Sequence, residues 1–149
     1  MGGVSERDDW AQQALAALQR AGRRRGSARG AVVEQLASLR CALGAREIDE
    51  GLRAAGQRVG LASVYRALAE LEGLGLVRRV DVGDGTARYE PRRAEDEHHH
   101  HHLVCDHCGR VTPFTDAGLE SAIARLSDRI DFSVDEHEVL LHGACASCA

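Results

Sequence analysis

"LASVYRALAELEGLGLVRRVDVGDGTARYE", residues 61–90, is the stretch that decides the fold. Its first half places Leu61, Val64, Leu68, Leu71 and Leu74 three and four residues apart, which is the spacing of one helix face. Gly73 and Gly75 then mark where the helix stops, since glycine tolerates the left-handed backbone that closes a helix. Two short runs follow, 77–82 and 86–90. They flank Gly83, Asp84 and Gly85, which are hairpin-turn residues. A helix that stops sharply and feeds a hairpin is the second half of a winged helix-turn-helix.

Upstream, helical stripes recur over 10–21, 31–39 and 45–55, the last closed by Gly56, with "GRRRGSARG" breaking the chain between the first two. Downstream, "PRRAEDE" (91–97) is polar and reads as a hinge. Beyond it, 98–105 is expected to be extended and 110–114 a short strand. Residues 117–130 are expected to form a helix with Leu119, Ile123, Leu126 and Ile130 on one face, and 131–145 a strand or hairpin. The expectation is an α+β protein: a winged-helix domain over 1–90, a hinge over 91–97, and a small α/β domain over 98–149.

Net charge is −4, but the sum hides an asymmetry. Residues 1–80 carry 13 arginines against 9 acidic residues, whereas 81–149 carry 6 arginines against 14. The first part suits a polyanion and the second attracts cations. Every basic residue is arginine, as a GC-rich genome would produce. No apolar run is long enough to span a membrane, and the charged N-terminus has no apolar leader, so the expected location is the cytoplasm.

Five cysteines stand at 41, 105, 108, 145 and 148. Cys105 with Cys108, and Cys145 with Cys148, form two Cys-x-x-Cys pairs. Thiolates at that spacing each make half of a tetrahedral zinc site, and two halves from distant segments staple a domain with a thin core. The expectation is a structural zinc held by all four, with Gly109 supplying a tight turn and His107 left to solvent. Just ahead of the first pair stand five consecutive histidines, 98–102. In a strand, successive side chains point to opposite faces. His98, His100 and His102 would share one face, His99 and His101 the other, and the run would serve two separate metal sites.

The stretches "GLASVYRALAELEGLGLV" and "HHHHHLVCDHCGRV", with the final Cys-x-x-Cys, resemble the ferric uptake regulator family, including its zinc uptake regulator branch. The resemblance runs from about Ala31 to Cys148. It implies a dimeric, metal-sensing transcriptional repressor with an N-terminal winged helix and a C-terminal α/β dimerisation domain. Carried over, the cysteine quartet matches the family's structural zinc, and His99, His101, Glu120 and His137 match a metal site of the dimerisation domain. His100 and His102 match the regulatory hinge site, with Glu90 in the place where iron sensors carry a glutamate. The family's histidine ahead of the third helix is missing. Cys41 lies near that place, either as a substitute ligand or as a small core residue. The zinc-sensing pattern of actinobacteria has an aspartate and a cysteine where Arg78 and Arg92 stand here. His101 leans toward zinc and Glu90 toward iron or manganese, so the regulatory ion expected is Zn(2+) or Fe(2+), with Mn(2+) as a further option.

In a winged helix the helix near 61–74 enters the major groove of operator DNA by its N-terminal residues. Ser63, Tyr65 and Arg66 are the candidates there, with Arg58 just before them. Arg23, Arg24, Arg25 and Arg29 are candidates for phosphate. No HExxH motif, nucleophile elbow or phosphate loop occurs, so no enzyme, membrane partner or small organic substrate is expected. The alternatives are a peroxide- or manganese-responsive regulator of the same family. Outside it they are a zinc chaperone or storage module, or a metallohydrolase, which would need an open metal position and a general base.

Overall fold

The computed structural model describes residues 6–23, 26–38, 41–93 and 100–149, and the chain divides into two compact units, 1–96 and 97–149. In the first unit, α1 (Glu6–Arg20), α2 (Ser27–Ala37), α3 (Ala45–Ala54) and α4 (Leu61–Gly73) surround one apolar core. Val32, Val33, Ile48, Val64, Leu68 and Leu71 are fully buried in it. The indole N–H of Trp10 in α1 donates to the Leu76 carbonyl at 3.0 Å, which satisfies the polar atom of a buried ring. Helix α4 ends as its glycines require. Gly75 adopts φ +69°, and its N–H and that of Leu76 return to the carbonyls of Glu72 and Leu71, both at 2.9 Å.

The wing is the sheet β1 (Leu43–Gly44), β2 (Val77–Val80) and β3 (Arg88–Pro91), in the order β1-β3-β2 and antiparallel throughout. The register sets Arg78 opposite Glu90 and Val80 opposite Arg88. Both hairpin strands depart from expectation: β2 stops at Val80, and β3 starts at Arg88 and takes in Pro91. The residues between them spend their main-chain donors on side chains instead of the ladder. Asp81 accepts from the Gly83 N–H at 2.9 Å and Asp84 from the Thr86 N–H at 3.0 Å. Two residues were too few for a periodic signal, so β1 has no forecast. Helix α2 starts at Ser27, four residues before the expected Ala31, carrying Gly30 within it because Ala31, Val32 and Val33 anchor the next turn in the core.

The second unit has β4 (His101–Cys105) at the centre of a three-stranded sheet. It lies antiparallel to β5 (Val111–Phe114) and parallel to β6 (Leu140–Gly143). Helix α5 (Ala117–Arg129) is capped by Asp116, whose carboxylate accepts the Leu119 N–H at 2.7 Å. No residue of α5 is buried. The expected strand over 131–145 is realised only in β6, to which the Val139 carbonyl adds one ladder bond by accepting the His102 N–H at 3.0 Å; Asp131 turns the chain at φ +50°. Among the described residues no helix is long and apolar enough to cross a membrane.

Candidate metal centres and nucleic-acid interface

The parallel pairing of β4 with β6 sets Cys105 beside Gly143, and both strands end there, each followed by a Cys-x-x-Cys turn. The Asp106 N–H donates to the Gly143 carbonyl at 2.8 Å, and the Cys145 N–H to the Cys105 Sγ at 3.3 Å, which fasten the two turns together. Gly109, at φ +72°, closes the first turn as its position in the motif suggested. The Sγ atoms of Cys105, Cys108, Cys145 and Cys148 all lie within 4.8 Å of one another, and Cys108 and Cys145 are 3.9 Å apart. Bonded sulfurs are about 2.05 Å apart. Tetrahedral zinc with Zn–S bonds of about 2.3 Å spreads its sulfurs to about 3.8 Å. The quartet has the second spacing.

The thiol chemistry agrees. Main-chain N–H bonds, that of Cys145 foremost, hold the Cys105 thiol down to about 6. Contact with the Cys148 side chain lowers the Cys145 thiol. The Cys145 side chain in turn pushes Cys148 up to about 12. Four sulfurs packed this closely resist shedding their last proton unless a cation takes its place. His107 is exposed.

The second group gathers around Glu120 in the first turn of α5. Its Oε1 lies 2.7 Å from Nε2 of His101 and its Oε2 3.0 Å from Nε2 of His137. His101, fully buried on β4, is aimed by its other nitrogen, since the Val139 N–H donates to Nδ1 at 3.1 Å. Nitrogen and oxygen donors about 3 Å apart also suit bonds of about 2.0–2.2 Å to one first-row ion. Three of the four residues expected here are therefore together; His99 lies outside the described residues, as does His98.

His100 and His102 pack their rings edge to face, centroids 5.1 Å apart, and the Glu138 carboxylate stands 3.4 Å from Nδ1 of His102. In the first unit, Glu90 is buried and held by Arg78. Nε and Nη2 of the guanidinium both donate to its Oε1, at 2.9 and 2.5 Å. Cys41 is half-buried and belongs to none of the groups of three or more potential donors among the described residues.

Helix α4 presents Tyr65, 49% exposed, and Arg66, also exposed, while Ser63 is half-buried and accepts from Arg66 Nη2 at 3.1 Å. Exposed Arg58 lines an open groove with Arg53, Gln57 and Gly60 just before the helix. The first turn of α4 holds no acidic residue and has no side-chain cap, so no carboxylate of its own offsets the partial positive charge of the helix N-terminus. Arg29, expected on phosphate, is engaged elsewhere: it binds Glu70 of α4 through Nε at 2.5 Å and Nη2 at 2.9 Å, and Arg23 adds a contact at 3.7 Å. That bond to Arg29 lowers the Glu70 carboxyl. Arg24 and Arg25 lie outside the described residues. The ion pairs of Arg29, Arg78 and Arg88 had no sequence signal, because each joins residues that only the tertiary fold or a turn brings face to face.

Residues 20–142 match the family model of the ferric uptake regulator family. A ferric uptake regulation protein of Legionella pneumophila is 37% identical over 106 residues, 71% of this chain and 76% of that protein. Among solved structures, the Vibrio cholerae ferric uptake regulator, whose report describes a rearrangement of its DNA-binding domains, superposes with a TM-score of 0.73 at 31% identity. That match covers 87% of this chain and 98% of the other. The Pseudomonas aeruginosa regulator, solved with manganese, gives 0.63 at 29%, covering 89% and 97%. An α+β chain with a four-cysteine cluster, matched over most of its length in this way, belongs to the ferric uptake regulator family.

Proposed function

We propose that this chain is a metal-dependent DNA-binding repressor that acts as a homodimer on operator DNA and adjusts the expression of metal-homeostasis genes. The observation that carries the reading is the split of the histidine run. His101 meets Glu120 and His137, while His102 packs on His100 instead. One strand thereby serves two ligand sets. In the first, His99 completes His101, Glu120 and His137. In the second, His100 and His102 join Glu90 as the regulatory set, with Cys41 as the candidate fourth ligand. The cysteine quartet holds zinc, which cross-links the ends of β4 and β6.

The sensed ion is zinc or iron, with manganese third; the mixed imidazole and carboxylate donors accept all three, and the Pseudomonas relative was solved with manganese. Arg58, Ser63, Tyr65 and Arg66 meet the operator, and the exposure of Tyr65 and Arg66 supports that role. Dimerisation is supported by the apolar side chains that the second unit leaves in water, Leu126, Ile130 and Phe132 among them. The division we propose is a DNA-binding domain over 1–90, a hinge over 91–97 and a metal-binding dimerisation domain over 98–149.

Metal and operator each favour the same arrangement of the dimer, so each tightens the other's binding. The test is operator affinity with and without buffered zinc, ferrous or manganous ion, on DNA from the protein's own upstream region. One of the ions should tighten binding by about 5–150-fold. Equal affinities under all conditions would remove the switch, and no DNA binding at all would favour a chaperone or storage role.

A further inference from the structure

We propose that Arg78 is a built-in competitor for Glu90, setting how much metal is needed before the regulatory site fills. This rests on the reading of Glu90 as a regulatory ligand. The two residues face each other across the β2–β3 register, so the pairing follows from the fold of the wing and not from a chance surface contact. Both guanidinium bonds converge on the one carboxylate oxygen, Oε1, at 2.9 and 2.5 Å. Glu90 is 5% exposed, and a carboxylate that deep needs a cation beside it.

Arginine fills that need permanently, because it does not lose its proton in proteins. A divalent ion offering the same neutralisation must take Oε1 from the guanidinium, or bind with a positive charge already within a few ångströms. Both routes cost affinity. Arg78 is itself partly exposed, its side chain at 34%, so it has water to swing into when Glu90 changes partner. Glu90 is thereby kept satisfied in the metal-free protein, and the threshold for metal is raised.

The experiment uses full-length protein with its cysteine quartet zinc-loaded, in an H137A background that silences the His101–Glu120–His137 group. Cobalt(II) is titrated in and followed by its d–d absorption. R78Q, which keeps a donor but no charge, should bind cobalt at least about tenfold more tightly than the parent. R78K, which keeps the charge, should stay within a few-fold of it, and E90Q should lose most of the affinity. If R78Q binds no more tightly while E90Q still loses affinity, Arg78 does not compete: the proposal falls and Glu90 remains a ligand. An unchanged E90Q would overturn the ligand reading and the proposal together. Thermal melting of each metal-free variant identifies any that has unfolded; should R78Q be one, R78M and R78K carry the comparison, and equal affinity in those two overturns the proposal.

Discussion

Asp84 gives one carboxylate oxygen to the Thr86 N–H and to Nη1 of Arg88, both at 3.0 Å, and the other to Nη2 at 2.8 Å. The tip of the wing is thus tied to Arg88, a buried residue of β3, by a two-pronged ion pair. That bond to Arg88 holds the Asp84 carboxyl down to about 2, below its ordinary 3.8. A lowered carboxyl stabilises the fold above its unfolded value, and that contribution is lost as pH falls through the folded one. The wing should therefore loosen between about pH 4 and 2. Amide exchange at Thr86, corrected for intrinsic rates, should quicken across that window. In D84N it should already be fast at neutral pH. A D84N exchange rate equal to wild type would mean that the turn residues hold the tip without the ion pair.

At the scale of elements, α4 carries two kinds of arginine neighbour. Arg58 is exposed before its N-terminus, whereas Arg29 is spent joining α2 to Glu70. Each phosphate contact adds about 0.9 to the slope of log affinity against log salt. R58A should lower the slope of operator binding by about one per protomer. R29A should leave the slope alone and instead reduce the stability of the DNA-binding unit, by on the order of 1 kcal/mol. Salt titrations and denaturant melts of the two variants separate these effects, and a lower slope in R29A would return Arg29 to the DNA.

The elements also show what could be read in advance. Helices α3 and α4 were legible to within a residue. Ile48 and Leu52 in the one, and Val64, Leu68 and Leu71 in the other, recur at helical spacing, and all five are buried. The cysteine quartet was legible because spacing alone fixes each half. By contrast, "DFSVDEHEVLLHGAC" is rich in strand formers, yet only its later part, from Val139 on, finds a main-chain partner in β4. Strand signal says what a segment tolerates; pairing depends on a neighbour distant in sequence. The same distance hid the partners of Arg29 and Arg78.

For the whole molecule, the contrast is between a well-filled first unit and a second whose buried apolar set is little more than Val104, Cys105 and Val111. A unit with so small a core needs further support, which the proposed zinc cross-link and second copy would supply. Stripping zinc with a strong chelator should abolish hydrogen-exchange protection over 101–105 and 140–143 while α2 and α4 stay protected. Persisting protection in the second unit would show that its core suffices without the metal. Leu103 and Leu141 are paired in register, and both lie open to water, as do Leu126, Ile130 and Phe132. Replacing Ile130 and Phe132 together by aspartate should turn a dimer into a monomer in sedimentation experiments. A dimer unaffected by both charges would place the interface on another face.

The central position of β4 has a further bearing, on the order of events during synthesis. Its parallel partner β6 is translated long after it, and the second cysteine pair later still. The reader of DNA has every strand and helix it needs by Pro91, so it can finish folding on the ribosome while the sensing half is still an open chain. Newborn protein therefore passes through a stage that has its DNA-facing helix but no means of reporting metal.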